Sequence, residues 1–306
     1  MKKTLIISLA FWLIGLVVGY IAIVGPVDLV QATDSDTAST TVIIGNATPT
    51  ITVNTITSPV TLTENSTVTA FATSTVADNN GCDDIESVTA VFFDDNAANN
   101  DCAADGQNCY PVASTTCTAT VGSCTGGSDT EEQYTCSVSV LHYTNGGTAP
   151  DWRWYLSAGD GDATGTQTSN EVTIADLLAL DVTEPAIDYS TLSLGATSTQ
   201  ATTTAKNTGN HNDLSVGIQE SIDFACTLGT ISSSQQHYAT TSGFSYGDGT
   251  ALAATSSSPT QLDTAIAQGS DGSTTPSQPI YWLLVVPNGV SGTCNGQNYF
   301  EAQNNT

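Results

Sequence analysis

The feature that most constrains the fold is a strict alternation of apolar and polar residues in several short segments. In WRWYLSA, which starts at residue 152, one face carries Trp152, Trp154, Leu156 and Ala158. A period of two residues places successive side chains on opposite faces of a β-strand. Similar alternation at 68–76 and 134–140 predicts further half-buried strands, and the shared face of the two tryptophans predicts that both belong to a core.

The small number of basic residues argues against long helices. Only 4 of the 306 residues are Lys or Arg, whereas 30 are Asp or Glu, which gives a net charge of −26. Exposed helix faces normally use Lys, Glu and Arg, and this chain is rich in Thr, Val, Gly and Asn instead. We therefore predict an all-β protein. The acidity excludes nucleic acid as a partner, since phosphate contacts need Lys and Arg.

The N-terminus predicts export. Lys2 and Lys3 precede an uncharged apolar run that ends near Pro26. Two processing states fit residues 1–32: a signal peptide cleaved after Ala32, or an uncleaved hydrophobic helix that anchors the chain in the membrane. Both place the remainder at the cell surface or outside the cell, with a cytoplasmic N-terminus if the anchor stays.

The remainder predicts a polar stalk and two antiparallel β-sandwiches in tandem. The stalk covers 33–48, the first sandwich 49–177 and the second 178–306. A cysteine-rich insert at about 94–131 interrupts the first sandwich. One short helix is predicted at about 259–268 of the second, because Ser258, Pro259 and Gln261 form an N-terminal capping pattern.

The eight cysteines predict a disulfide framework, since exported chains oxidise their thiols. The simplest partition pairs Cys226 with Cys294. The other six pair among themselves in the first sandwich with a connectivity that spacing alone leaves open; they are Cys82, Cys102, Cys109, Cys117, Cys124 and Cys136.

Two stretches of the first sandwich, TVADNNGCDDIESVTAVFF and YLSAGDGDATG, resemble Ig-like and fibronectin-III-like modules of prokaryotic cell-surface proteins. The whole chain resembles uncharacterised exported proteins of candidate-phylum bacteria. The resemblance covers the first sandwich and implies that it is Ig-like; we expect two antiparallel Ig-like sandwiches in tandem.

Acidic residues at one end of the first sandwich allow two interpretations, a plain β-hairpin turn or a calcium site. The segment from Asp160 to Glu171 follows the spacing of an EF-hand loop, but its flanks alternate as strands and so exclude the helix–loop–helix. In an Ig-like sandwich the loops 78–84 and 159–165 lie at the same end. The candidate ligands are therefore Asp78, Asp83, Asp84, Asp160, Asp162 and Thr164. The sequence requires no cofactor, and Ca²⁺ is its one candidate.

One segment matches the sequence pattern of a catalytic motif, but its surroundings do not support catalysis. GFSYG, residues 243–247, matches the Gly-x-Ser-x-Gly pattern of serine hydrolases, yet no helix pattern follows Ser245 at once and all three histidines precede it. We therefore predict no enzyme and no catalytic residue. The favoured hypothesis is a non-enzymatic surface protein with a structural, adhesive or assembly role. Its candidate partners are other surface proteins, glycans and its own copies, and an uncleaved leader would also bind the membrane. The alternatives are a secreted carbohydrate-active or other hydrolytic enzyme and a calcium-dependent binding module.

Overall fold

The computed structural model describes most of the chain after the leader. The described residues are 38–147, 151–184, 186–252, 260–262, 264–270 and 275–304, without the side chains of 220–222. The predicted leader, residues 1–32, lies outside them. Within these ranges, no helix is both long and apolar enough to cross a membrane. The chain divides into two compact units, 1–45 and 46–306; in the first of these, residues 38–45 are exposed.

Eight strands form in the described part of the chain between residues 50 and 168. They are β1 (Thr50–Ile56), β2 (Thr67–Ala77), β3 (Ser87–Asp94), β4 (Cys109–Val112), β5 (Cys117–Ala119), β6 (Glu131–Leu141), β7 (Trp152–Gly159) and β8 (Thr164–Thr168). All their pairings are antiparallel. One sheet has the order β1-β2-β6-β5 and the other the order β4-β3-β7-β8.

The two sheets enclose an aromatic core. Trp152 and Trp154 are 2% and 0% exposed, as the alternation of β7 predicts, and the ring of Phe92 from β3 lies 4.7 Å and 4.8 Å from their rings. From the other sheet, β2 and β6 contribute small and β-branched side chains such as Ala72 and Val140. The layers bury their apolar faces against each other, which makes the pair a β-sandwich.

The cysteine-rich insert extends both sheets at their edges. The stretch 94–111 shows no strand pattern in its sequence, yet β4, which begins at Cys109, pairs with β3. Similarly, β5 pairs with β6 and places Cys117 opposite Cys136. The insert therefore leaves the central strands adjacent to each other.

In the described residues between 180 and 304, nine strands form. They are β9 (Leu180–Val182), β10 (Ala201–Asn207), β11 (Leu214–Leu228), β12 (Thr230–Ile231), β13 (Gln236–Ala239), β14 (Thr250–Ala251), β15 (Thr260–Gln261), β16 (Ser277–Leu284) and β17 (Ser291–Asn304). One sheet has the order β14-β13-β16-β10-β9. In the other, the long strand β11 pairs with β12, β15 and β17. Trp282, Tyr238, Ile218 and Leu252 lie in the core between them.

The predicted helix at about 259–268 is wrong in the part that the structure describes. Thr260 and Gln261 form β15, and the backbone N–H of Leu262 donates to the carbonyl oxygen of Val216 in β11. Ile266 forms a further bridge with Leu214. Pairing with β11 thus satisfies backbone groups that a short helix would satisfy internally, and the capping pattern is overridden by the sheet.

Hydrogen bonds join the two halves of the 46–306 unit. The side-chain oxygen of Asn210 accepts from the backbone N–H of Leu177, and its amide nitrogen donates to the carbonyl oxygen of Thr144. The Gln107 side chain donates to the carbonyl oxygen of Gly269. The junction therefore contains polar contacts, and one of them is made by Leu177, the last residue of the predicted first sandwich.

Candidate functional site

Three carboxylates meet at one end of the first sandwich, and we call this cluster the acidic pole: Asp78, Asp84 and Asp160. Asp78 follows the last residue of β2, Asp84 ends a short 3-10 turn, and Asp160 follows β7. One oxygen from each residue lies within 4.8 Å of the others. The antiparallel arrangement brings these ends together, because β2, β3 and β7 stop or start at the same edge of the sandwich.

The turn after β7 holds Asp160 in its ionised form. Its Oδ1 accepts backbone N–H groups from Ala163 at 2.6 Å and Asp162 at 2.9 Å, and its Oδ2 accepts the Asn46 amide at 2.9 Å. The hydrogen bond from Ala163 and then that from Asn46 lower the pKa of Asp160 below its ordinary value. Asp160 therefore carries its charge at neutral pH.

Asp78 is the most enclosed member of the acidic pole. It is 1% exposed, and its Oδ1 accepts the backbone N–H of Asn80 at 2.7 Å. Its Oδ2 is buried and has no hydrogen-bond partner among the described residues. A buried carboxylate oxygen without a donor loses its hydration without compensation. Asp84, in contrast, is exposed to solvent.

Neither of the other two predicted carboxylates, Asp83 and Asp162, belongs to this cluster. Asp83 turns towards the insert, where its Oδ1 lies 3.3 Å from Cys124 Sγ. That contact is no hydrogen bond, because Cys124 is disulfide-bonded to Cys82 and has no thiol proton. Asp162 is exposed and contributes its backbone N–H to Asp160, and Thr164 is the exposed first residue of β8.

The cysteines form four disulfides. The three in the first sandwich are Cys82–Cys124, Cys102–Cys109 and Cys117–Cys136. The fourth joins Cys226 of β11 to Cys294 of β17, which lie opposite each other in the ladder. The pairing within the insert was not accessible to spacing arguments, because it depends on the positions that β4 and β5 take at the two sheet edges.

A cleft of about 1090 Å³ opens between the layers of the second sandwich. Gln236 and Tyr189 contribute polar atoms to its lining, and Phe224, Phe300 and Leu284 contribute apolar surface. Gln236 is 0% exposed, and neither polar atom of its side chain has a hydrogen-bond partner among the described residues. The buried hydroxyl of Tyr189 also has no hydrogen-bond partner among them. Burial raises the pKa of Tyr189. This cleft gives no signal in the sequence, because the alternation of QHYA, residues 236–239, is the same as that of any half-buried strand.

The hydrolase motif shows no catalytic contact. The ring of His237 stacks on that of Tyr246, and its Nδ1 donates to the Tyr246 carbonyl oxygen at 2.7 Å. In the described part of the chain, no hydrogen bond joins this histidine to Ser245. The serine and histidine therefore lack the bond that activates a nucleophile.

Comparison with known proteins identifies no family. No protein-family model matches the chain, and no curated protein matches it. One similar solved structure is the native conformation of the E. coli alpha-2-macroglobulin, with 13% sequence identity and a TM-score of 0.24. That alignment covers 82% of this chain and 16% of the macroglobulin chain. A similarity at this level carries no functional argument.

Proposed function

We propose that this chain is an exported cell-surface protein with a structural, adhesive or assembly role and no catalytic one. The observation that carries the proposal is the complete oxidation of its cysteines: four disulfides in an all-β fold, with no free cysteine in the described chain. Such disulfides persist in oxidising compartments, so they indicate an extracellular protein.

The non-catalytic part of the proposal is supported by the partners of the reactive side chains. His237 is held by a backbone carbonyl, and Glu184 at the rim of the cleft accepts hydrogen bonds from Thr183 and Thr204. These contacts stabilise turns and strand edges. The high negative charge adds mutual repulsion, which keeps surface proteins soluble and restricts their partners to neutral or basic groups.

Location is tested by labelling intact and permeabilised cells with an antibody to the protein, and by alkylating its thiols before and after reduction. We expect equal antibody signal on both cell preparations, no alkylation before reduction and eight alkylated cysteines after it. A signal that appears only after permeabilisation, or free thiols in the native protein, would show that the protein is intracellular.

The role is tested by complementation of a strain that lacks the gene. The strain is scored for surface attachment and envelope integrity, and it receives either the wild-type gene or Ser245→Ala at matched expression. We expect both genes to restore the phenotype equally. Restoration by the wild type alone would support the hydrolase alternative and contradict a non-catalytic role.

A further inference from the structure

The acidic pole is the strongest candidate for a ligand site in the described chain. Its three residues come from segments far apart in sequence, around residues 78, 84 and 160, and their oxygens approach to within 4.8 Å. Like charges at this separation repel each other unless a cation or water lies between them. The described ion pairs join Arg153 to Asp95 and Glu171 and place His211 beside Asp176, so none of them neutralises the acidic pole.

The second observation is the state of Asp78. The residue as a whole is 1% exposed, and its Oδ2 is buried and receives no hydrogen bond from any described residue. A fully enclosed carboxylate oxygen needs a donor or a metal ion, since water has little access to it. The turn around it supplies one backbone N–H, that of Asn80, to Oδ1 and none from the described residues to Oδ2.

We propose that Asp78, Asp84 and Asp160 bind a Ca²⁺ ion. The ligands are three hard oxygen donors with no nitrogen or sulfur among them, which suits Ca²⁺ and disfavours Zn²⁺. Ca²⁺ takes six to eight oxygen ligands in flexible geometry, and solvent reaches the acidic pole through the exposed Asp84. Mg²⁺ demands a near-ideal octahedron and fits three loop carboxylates less well.

The ion would join four parts of the first sandwich. Three of these parts are the end of β2 at Asp78, the 3-10 turn at Asp84 and the end of β7 at Asp160. The fourth part is the segment before β1, where Asn46 donates to Asp160 and the backbone N–H of Ala47 donates to Asn80 Oδ1 at 2.6 Å. Calcium binding is therefore expected to order the start of the folded unit. The site stands independently of the proposed surface role.

The experiment is a calcium titration of the chelator-treated full-length protein in 150 mM salt, followed by calorimetry and by thermal unfolding. Extracellular calcium modules typically have Kd values of about 10⁻⁴–10⁻³ M. We expect one site in this range, and 10 mM Ca²⁺ should raise the Tm by about 5 °C, with a smaller rise for Mg²⁺. Absence of both heat and a Tm shift at 10 mM Ca²⁺ would overturn the proposal.

Adjacent residues supply the matched control. Asp84→Asn removes a proposed ligand at an exposed position, whereas Asp83→Asn removes the same charge one residue earlier, outside the acidic pole. We expect the first variant to weaken Ca²⁺ binding at least 10-fold and the second to bind like the wild type. Equal binding by Asp84→Asn and wild type, or equal losses in both variants, would show that calcium binds only through the general negative charge.

Discussion

The first and second sandwiches each consist of two packed sheets, but they differ in how their interiors are filled and where their disulfides lie. The first fills its interior with clustered rings and places three disulfides at its edge strands and insert. The second has one disulfide, between its two longest strands, and leaves a cleft of about 1090 Å³ between its layers. The comparison shows cystines in two places, at the insert of the first sandwich and across paired strands of both, whereas the densest group of aromatic rings lies in the first core.

Truncating the central tryptophan of each core should give the largest effect. Trp154→Ala is expected to cost about 3–5 kcal/mol, because the closed first core cannot fill the space left by the ring. Trp282→Ala should cost less, since the neighbouring cleft allows solvent and side chains to adjust. The measurement is urea unfolding with each transition fitted separately. A larger loss for Trp282→Ala would show that the second core is the better packed one.

Removing a disulfide should lower the free energy of unfolding by an amount that depends on the length of the loop that it closes, and this length differs between the two sandwiches. The Cys226–Cys294 bridge spans 68 residues and the Cys102–Cys109 bridge spans 7. Restriction of the unfolded chain then predicts losses of about 4 kcal/mol and about 2 kcal/mol when each pair is replaced by serine. Thermal unfolding of the two double variants checks this order, and a reversed order would indicate that native contacts of the insert outweigh loop entropy.

Replacing buried, unpartnered polar groups should have a smaller effect. Gln236→Leu removes an amide that has no described partner and is expected to stabilise the second sandwich by about 1 kcal/mol. The matched change in the first sandwich is Ser74→Ala, at a serine that is 0% exposed with an unpartnered hydroxyl, and it should be neutral or slightly stabilising. Destabilisation by Gln236→Leu above about 1 kcal/mol would mean that the amide is satisfied in solution.

The smallest expected effect is the pH dependence of a turn in the insert. Burial alone would raise the pKa of Asp105, but hydrogen bonds from Asn108, Cys109 and Gln107 outweigh it and lower that pKa. A depressed pKa stabilises the fold above the unfolded-state value of about 3.9, and this stability is lost as the pH falls through the folded value. Asp105→Asn should thus lose less than about 1 kcal/mol at pH 7 and match the wild type at low pH, because solvent screens the exposed carboxylate.

The control for the pH prediction is Asp101→Asn, which removes an exposed acid nearby in the insert. At pH 7, the unfolding free energy of Asp101→Asn should differ from the unfolding free energy of Asp105→Asn. A constant difference between Asp105→Asn and the wild type across the whole pH range would contradict the hydrogen-bond explanation.

Alternation along the chain predicted the all-β fold and the inward position of Trp152 and Trp154, because a pleated strand forces side chains to alternate. A separate argument from local capping residues failed at 259–268, where pairing with β11 determined the backbone. Loop spacing selected six ligand candidates, of which the structure brings three carboxylates together. Adjacent residues such as Asp83 and Asp84 diverge because turn geometry, which spacing does not encode, decides where each side chain goes.

The Cys226–Cys294 bridge also determines how the protein responds to mechanical load. A protein chain pulled from its two ends lengthens by about 3.4 Å for each residue that unfolds. The bridge closes a loop of 68 residues that force applied at the termini cannot extend. About 230 Å of chain is thereby withheld, so most of the second sandwich would remain short under tension even after its sheets separate.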